Sequence, residues 1–415
     1  MGVTTLAHRL RRMTGRDPNE SHRTASPLEL LFDLAFVVAF GAAGNELAHY
    51  LAEGHIGTGI GGFAFVMFAA AWAWVNFSWF ASAYDTDDWF YRLCTMVQMT
   101  GVVVLVLGIP RLFHSIDEEQ YLDNGMLVAG YVVMRVAMIA QWLRAARQDP
   151  SRHRTALTYA GFVAVAQVGW VALAIAHTRL GTTVAIAAVL YLVELAGPWV
   201  AERRVNEGGT PWHAHHIAER FGLLSIIALG EGVFGTITAV SAAIENSGWS
   251  LDTAVLVVSG VGLTFGLWWT YFLLRAGDIL HRFRTAAFVW GYGHLLVFAS
   301  ITATGAGLHV IAYVIEGESE LGPVAAVLTV AVPVLLLCLA IYALYSYLLR
   351  AIDPFHLVLI AGTVIVLLLA VLAAAWGAPV SVSLILVTLA PFVTVVGYET
   401  IGHRHEAAML ARRLA

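Results

Sequence analysis

Apolar residues in this chain come in runs long enough to cross a bilayer, and polar residues collect in the short breaks between them. A hydrocarbon core takes about 20 residues of helix. Breaks at glycine, proline and charge clusters give twelve runs: 28–50, 58–83, 89–109, 122–146, 154–177, 182–201, 214–242, 252–275, 285–314, 323–349, 356–376 and 379–402. The last two are split only by the turn signal at Trp376–Pro379. The pattern predicts an all-α fold, a polytopic transmembrane helical bundle of about twelve spans.

The arginines give an independent check, because short cytoplasmic loops collect basic residues. With the first residue in the cytoplasm, one side holds Arg9, Arg11, Arg12, Arg16 and Arg23 of the amino-terminal segment. The same side holds Arg144, Arg147, Arg152, Arg154, Arg203, Arg204, Arg275, Arg282, Arg284, Arg350, Arg404, Arg412 and Arg413. The other side holds Arg111 and Arg179. An odd number of spans would spoil this split, so both termini are expected in the cytoplasm.

Composition agrees. Of 415 residues, 59% are hydrophobic and 12% charged, with a mean hydropathy of +0.75, where a soluble chain carries about a quarter charged residues. The lipid bilayer is the expected partner, and no nucleic acid is. Cys94 and Cys338 lie in apolar segments and read as buried thiols rather than a disulfide. Residues 1–26 are polar and basic, without the short apolar core and small-residue cleavage site of a signal peptide. They are expected to be a cytoplasmic tail, part of it an interfacial helix.

The chain also reads as duplicated. Aligning Phe32 with Phe221 pairs FDLAFVVAFG with FGLLSIIALG, and WVNFSWF (Trp74–Phe80) then sits opposite WTYFLLR (Trp269–Arg275). Each match falls in the same span of its half. Six spans per half makes two parallel repeats, 27–206 and 207–404, followed by a cytoplasmic tail at 405–415.

Charge at hydrocarbon depth is expensive unless paired or hydrated, so ionisable residues inside spans are functional candidates. Glu29 and Asp33 stand one turn apart on a shared face. Ser26 is a candidate N-cap and Pro27 suits the first turn; Glu29 can equally serve only the helix N-terminus. In the seventh span His216, Arg220, Ile227 and Glu231 fall on one stripe. Glu231 lies between Gly230 and Gly232, which allow close helix approach or local unwinding. Arg135 and Glu194 sit mid-span and can neutralise each other or engage Asp33 and Glu231. His294 is a further buried titratable group. Asp85, Asp87 and Asp88 follow the second span and can gather cations at a cytoplasmic vestibule, or form a solvated turn. His213, His216 and Glu219 have a spacing that zinc uses, but HExxH is absent and no metal site or cofactor is expected. No phosphate loop or nucleophile elbow occurs, so no catalytic residue is assigned.

The stretches ELLFDLAFVVAF, WFASAYDTDD, HIAERFGLLSIIALGEGV and WGYGHLLVF resemble the bacterial low-temperature-requirement A family, over nearly the whole chain. Leu31 stands where that family often carries an aromatic residue. The resemblance implies a multi-pass protein of the bacterial inner membrane, named for growth in the cold, and carries over no substrate or catalytic set. A fainter similarity, of architecture alone, is to the lysosomal potassium channels built of two six-helix repeats.

The leading expectation is a transporter or channel moving a proton, cation or small solute along a polar path lined by the first and seventh helices. The alternatives are an intramembrane or lipid-modifying enzyme using His216, Glu219 and His294, and a stress-adaptation protein that transports nothing. A second copy of the chain is a candidate partner.

Overall fold

The structure is a computed structural model that describes residues 10–21, 23–118, 121–203 and 209–414. Arg9, Arg204 and the repeat boundary at 206 and 207 lie outside the described residues, as do the side chains of Arg412 and Arg413. Among the described residues there is no strand, and twelve helices are long and apolar enough to cross a membrane. They are Pro27–Ala52, Ile56–Tyr84, Trp89–Asp117, Gly125–Gln148, Pro150–Ala176, Leu180–Glu202, Ala214–Ser247, Leu251–Arg282, Arg284–Glu316, Pro323–Leu349, Pro354–Ala375 and Val380–Ala411. They are numbered here as spans one to twelve.

Local chemistry sets many of their ends. The Asp88 carboxylate accepts from the Tyr91 amide to open the third span, and Ser250 and Asp353 do the same for the eighth and eleventh. Three spans, the third, eighth and twelfth, run well past the apolar runs because short helical pieces extend them, and the seventh is interrupted within its length. The third pauses at Gly108 and restarts at Ile109–Asp117, with Pro110 in its first turn. The seventh is interrupted at Leu229, between Ala214–Ala228 and Gly230–Ser247. A short helix, Ala276–Arg282, prolongs the eighth, and a π-helical turn, Tyr398–Gly402, carries the twelfth into His403–Leu414.

Two compact units emerge from the packing. One comprises residues 1–39 and 69–220, the other 40–68 and 221–415, so the first, second and seventh spans each contribute to both. Within the first unit the third span packs on the fourth, the fourth on the fifth and the fifth on the sixth. Its core is aromatic: Trp142 stacks on Tyr159 at 4.2 Å, and Phe32 on Phe77 at 3.9 Å. Within the second unit the ninth packs on the tenth, the tenth on the eleventh and the eleventh on the twelfth. There Gly230–Ser247 lies against the ninth span, and the eighth against the twelfth.

The amino-terminal segment corrects one expectation. Its described residues from 10 to 26 form no helix. They run as an extended strap tied into the first unit: Met13 N donates to Gln148 Oε1 at 2.7 Å, Gly15 N to Asp149 Oδ2 at 3.2 Å, and Arg16 N to the Ala83 carbonyl at 2.9 Å. Backbone donors that a helix would satisfy internally are satisfied here by groups at the ends of the second and fourth spans and by Asp149.

Candidate functional site

The helical repeat brings four ionisable groups together in the first unit. Glu29 and Asp33 are one turn apart on the first span, and His216 and Arg220 one turn apart on the seventh. Each pair therefore presents one face, and the faces meet as a ladder. Arg220 Nη1 lies 2.8 Å from Glu29 Oε1, Arg220 Nη2 donates to Asp33 Oδ1 at 2.5 Å, and His216 Nε2 lies 3.2 Å from Glu29 Oε1. All four side chains are fully buried. Trp74 Nε1 gives Asp33 Oδ1 a second donor at 2.6 Å. Glu29 also closes a capping box, taking the Ser26 amide on Oε2 at 2.7 Å while Ser26 Oγ accepts the Glu29 amide at 3.3 Å.

The ladder is incompletely satisfied. Among the described residues, no aligned hydrogen bond reaches Glu29 Oε1, Asp33 Oδ2, Arg220 Nε, Arg220 Nη1 or His216 Nδ1. Two carboxylates face one guanidinium, and the remaining member is an imidazole whose charge depends on a proton. With His216 neutral and both acids ionised, one negative charge is left over. Buried charge without compensation costs several kcal/mol, so the cluster calls for one further positive charge, a proton or a cation.

A second buried pair stands apart within the same unit. Arg135 Nη2 donates to Glu194 Oε2 at 3.0 Å and to the Tyr131 hydroxyl at 2.5 Å. Glu194 also receives Trp72 Nε1 at 3.0 Å and Gln167 Nε2 at 3.1 Å. Of the two arrangements open to Arg135 and Glu194, the structure has them neutralise each other. The charges balance one to one.

The three loop aspartates are not gathered together. Asp85 lies 3.4 Å from Arg23 Nη2 and 3.7 Å from Arg16 Nη1. Exposed Asp87 takes a bidentate pair from Arg92, both bonds 2.8 Å. Asp88 binds Arg144 by two contacts, one of them 2.9 Å, and accepts the Arg11 amide at 3.1 Å. Burial pushes the Asp88 carboxyl up, but the bonds from Arg144, Tyr91 and Arg11 outweigh it and hold the pKa at about 2. Each acid already serves an arginine, and Asp85 and Asp88 anchor the amino-terminal strap.

Glu231 is different. The stripe expected through His216, Arg220, Ile227 and Glu231 crosses an interruption at Leu229, where the Gly232 amide donates to the Leu229 carbonyl at 3.0 Å. His216 and Arg220 belong to the first unit, and Glu231 to the second. Among the described residues no ion pair or hydrogen bond of the Glu231 carboxylate is found. Glycine surrounds it: a Cβ on Gly41 would stand 2.6 Å from Glu231 Oε1, and one on Gly305 2.7 Å from the Glu231 carbonyl carbon. At Gly305 the approach is to the Glu231 backbone, where a side chain would not fit, while Gly41 leaves room for the Glu231 carboxylate itself.

His294, also in the second unit, sits in a ring of Phe221, Trp290 and Phe298. Its Nδ1 is 2.8 Å from the Trp290 carbonyl and its Nε2 3.0 Å from the Tyr271 hydroxyl. A carbonyl only accepts, so Nδ1 carries the proton and Nε2 accepts from Tyr271. His213, His216 and Glu219 do not assemble a metal site: no group of three or more metal-ligating side chains occurs among the described residues.

Trp72, Trp74, Tyr131, Gln167, Gly41 and Gly305 were not singled out from the sequence. The tryptophans carried the readable signal, since a buried indole N–H needs an acceptor and an acid in another span is the natural one. The glycines carried none, being scattered like the rest of the 38.

The family description of the bacterial low temperature requirement A protein (LtrA) matches residues 24–391. A relative, an uncharacterized protein of Rhizobium meliloti (strain 1021), is 27% identical over 308 residues, covering 70% of each chain. No solved structure matches. The matched stretch takes in the strap's last residues, the ladder of Glu29, Asp33, His216 and Arg220, and the first eleven spans with the opening of the twelfth. The chain is thus a multi-pass membrane protein that belongs to the bacterial low temperature requirement A family.

Proposed function

We propose that this protein is a transporter that moves a proton or small cation, alone or together with a small solute, and that the Glu29–Asp33–Arg220–His216 ladder is its charge-coupling site. One observation carries the reading: two fully buried carboxylates share one guanidinium, beside an imidazole able to take a proton. A purely structural network gains nothing from odd charge. A transporter does, because the missing positive charge can arrive from one side of the membrane and leave to the other. Glu231, without a fixed cation in its glycine cradle, is a second candidate carboxylate for the path. Arg135 and Glu194, balanced one to one, are assigned to holding the bundle together.

In this reading the protein lies in the bacterial inner membrane with both termini cytoplasmic, as the arginine distribution favours. A pair of six-helix repeats is part of the proposal. Supporting it, an indole N–H joins the second span to the sixth (Trp79 Nε1 to Glu202 Oε1, 3.3 Å) and the eighth to the twelfth (Trp269 Nε1 to Glu399 Oε1, 3.3 Å), although the aligned register places Trp269 opposite Trp74.

The test is flux into proteoliposomes, followed with an internal pH dye under an imposed potential, for the natural chain and for Asp33→Asn and His216→Gln. Proton or cation flux should be present in the first and fall by about tenfold or more in the variants, the loss expected when one titrating partner of a coupled site is removed. Unchanged flux in both variants would release the ladder from the coupling role. Absence of flux for any ion or solute offered would remove the transporter class.

A further inference from the structure

The second unit contains a cleft of about 380 Å³, open on one side, within the size range of small-ligand sites. The first, second, ninth and tenth spans build it. From the tenth, Ala325, Leu328, Val332 and Leu336 point into it, a one-face pattern that extends the cleft about 16 Å along the helix at 1.5 Å per residue. Ala299 and Ala303 of the ninth span leave the room, where larger side chains would close it. The walls remain accessible: Ile60 is 56% exposed, Val332 46% and Leu336 40%. An elongated apolar furrow at span depth, reachable from outside, has the form of hydrocarbon chain.

One end of the furrow is charged. Leu51 and Ile56 flank the turn that carries Glu53, and Leu321 follows Glu320. The two turns are laced together, with the Glu320 amide donating to the Ala52 carbonyl at 2.8 Å and Ser319 Oγ to the same oxygen at 3.0 Å. Glu318 and Glu320 are exposed on the second turn, with Glu316 exposed at the end of the ninth span just before it; Glu53 is exposed on the first, 3.6 Å from His49 Nε2, and neither turn contains an arginine. A polar mouth of this sign repels a phosphate-only head group and attracts an ammonium. We infer that the cleft holds an acyl chain of a membrane lipid whose head group carries an ammonium ion, as in phosphatidylethanolamine, seated against Glu53 and Glu320.

Photolabelling tests this on the full chain in liposomes. The probe is phosphatidylethanolamine with a diazirine in its acyl chain, and labelled residues are mapped by mass spectrometry. Val168 and Ile175 of the fifth span, 72% and 71% exposed, report contact with bulk lipid. Label on Leu328, Val332 and Phe63 should saturate, while label on Val168 and Ile175 should rise in proportion to the probe. Unlabelled phosphatidylethanolamine should displace the cleft label about threefold better than phosphatidylglycerol of the same chains, the size of one interfacial ion pair. Ala303→Phe, which fills the cleft, should lower the label there by about tenfold. Cleft label that never saturates and tracks the bulk positions overturns the site. Equal displacement by the two lipids overturns the ammonium assignment. Should Ala303→Phe lose its helical circular dichroism, the displacement ratio on the natural chain decides the matter.

Discussion

The two compact units keep polar groups at span depth by opposite means. In the first, every buried arginine meets an acid: Arg220 with Glu29 and Asp33, Arg135 with Glu194, Arg144 with Asp88. In the second, the carboxylate of Glu231 meets no cation among the described residues, His294 is held by a hydroxyl and a carbonyl, Gly305 lies against the Glu231 backbone, and Gly41 leaves room for its carboxylate. The first unit is locked by charge and the second by shape. An ion pair is exacting, because deleting one member leaves the other charge stranded. A backbone contact instead tolerates change of charge and forbids change of volume.

That contrast predicts unequal responses to mutation, the largest at Arg220. Arg220→Leu leaves two buried carboxylates facing each other and should cost about 3–5 kcal/mol, the usual penalty for breaking a buried pair. Glu231→Gln, which strands nothing, should stay within about 0.5 kcal/mol of the natural chain. Thermal unfolding in detergent separates the two. Similar losses in both would erase the distinction between the units, and so would no loss in either. The double variant Arg220→Leu with Asp33→Leu should recover part of the stability, since it removes one of the stranded charges.

Volume gives the next effect. In Gly305→Ala the new Cβ would stand 2.8 Å from both the Cβ and the carbonyl oxygen of Glu231, in addition to its carbonyl carbon. Backbone cannot swing aside, so the helices must part, at about 1–3 kcal/mol. The same unfolding measurement reads it. If Gly305→Ala unfolds with the natural chain, close approach is not what holds the second unit around Glu231.

Much of this was legible in the sequence because bilayer physics leaves few choices. Twelve apolar runs had to become helices, since lipid offers no partner to unpaired backbone groups, and twelve appear. The buried charges were legible one at a time for the same reason. Their partners were not. Whether Arg135 met Glu194 or Asp33 depends on which spans neighbour one another, and helical periodicity carries no such information. The stripe through Arg220 and Glu231 crosses an interruption at Leu229 that helical periodicity does not reveal, and its two ends belong to different compact units. The path of the amino-terminal segment over its described residues was not legible for another reason: the acceptors that hold it, Gln148 and Asp149, are remote in sequence.

The strap offers the smallest effect, and a test of whether charge also rules the first unit outside its spans. His213 Nε2 donates to the Glu20 carbonyl at 2.9 Å, while its Nδ1 accepts the His216 amide at 3.2 Å. The neutral ring satisfies both contacts. A second proton on Nδ1 would meet an N–H, and burial already holds the His213 pKa below its ordinary value. A histidine so depressed favours the folded state above its unfolded pKa near 6.5. Below that value His213 freed from the strap takes up the proton more readily than His213 bound to it, and stability drains away. Asp88 acts in the same direction lower down: its contribution is complete above its ordinary value of 3.8 and is lost as the pH falls through about 2. Between pH 6.5 and 5 the His213 contribution is lost progressively. Hydrogen exchange at the Gly15 and Arg16 amides, corrected for its intrinsic pH dependence, should therefore quicken over that interval. In His213→Gln, whose amide can still donate to Glu20, the quickening should vanish. Were it to persist unchanged, acid would be loosening the strap somewhere other than His213, and the tie between strap and seventh span would not be the weak point of this end of the unit.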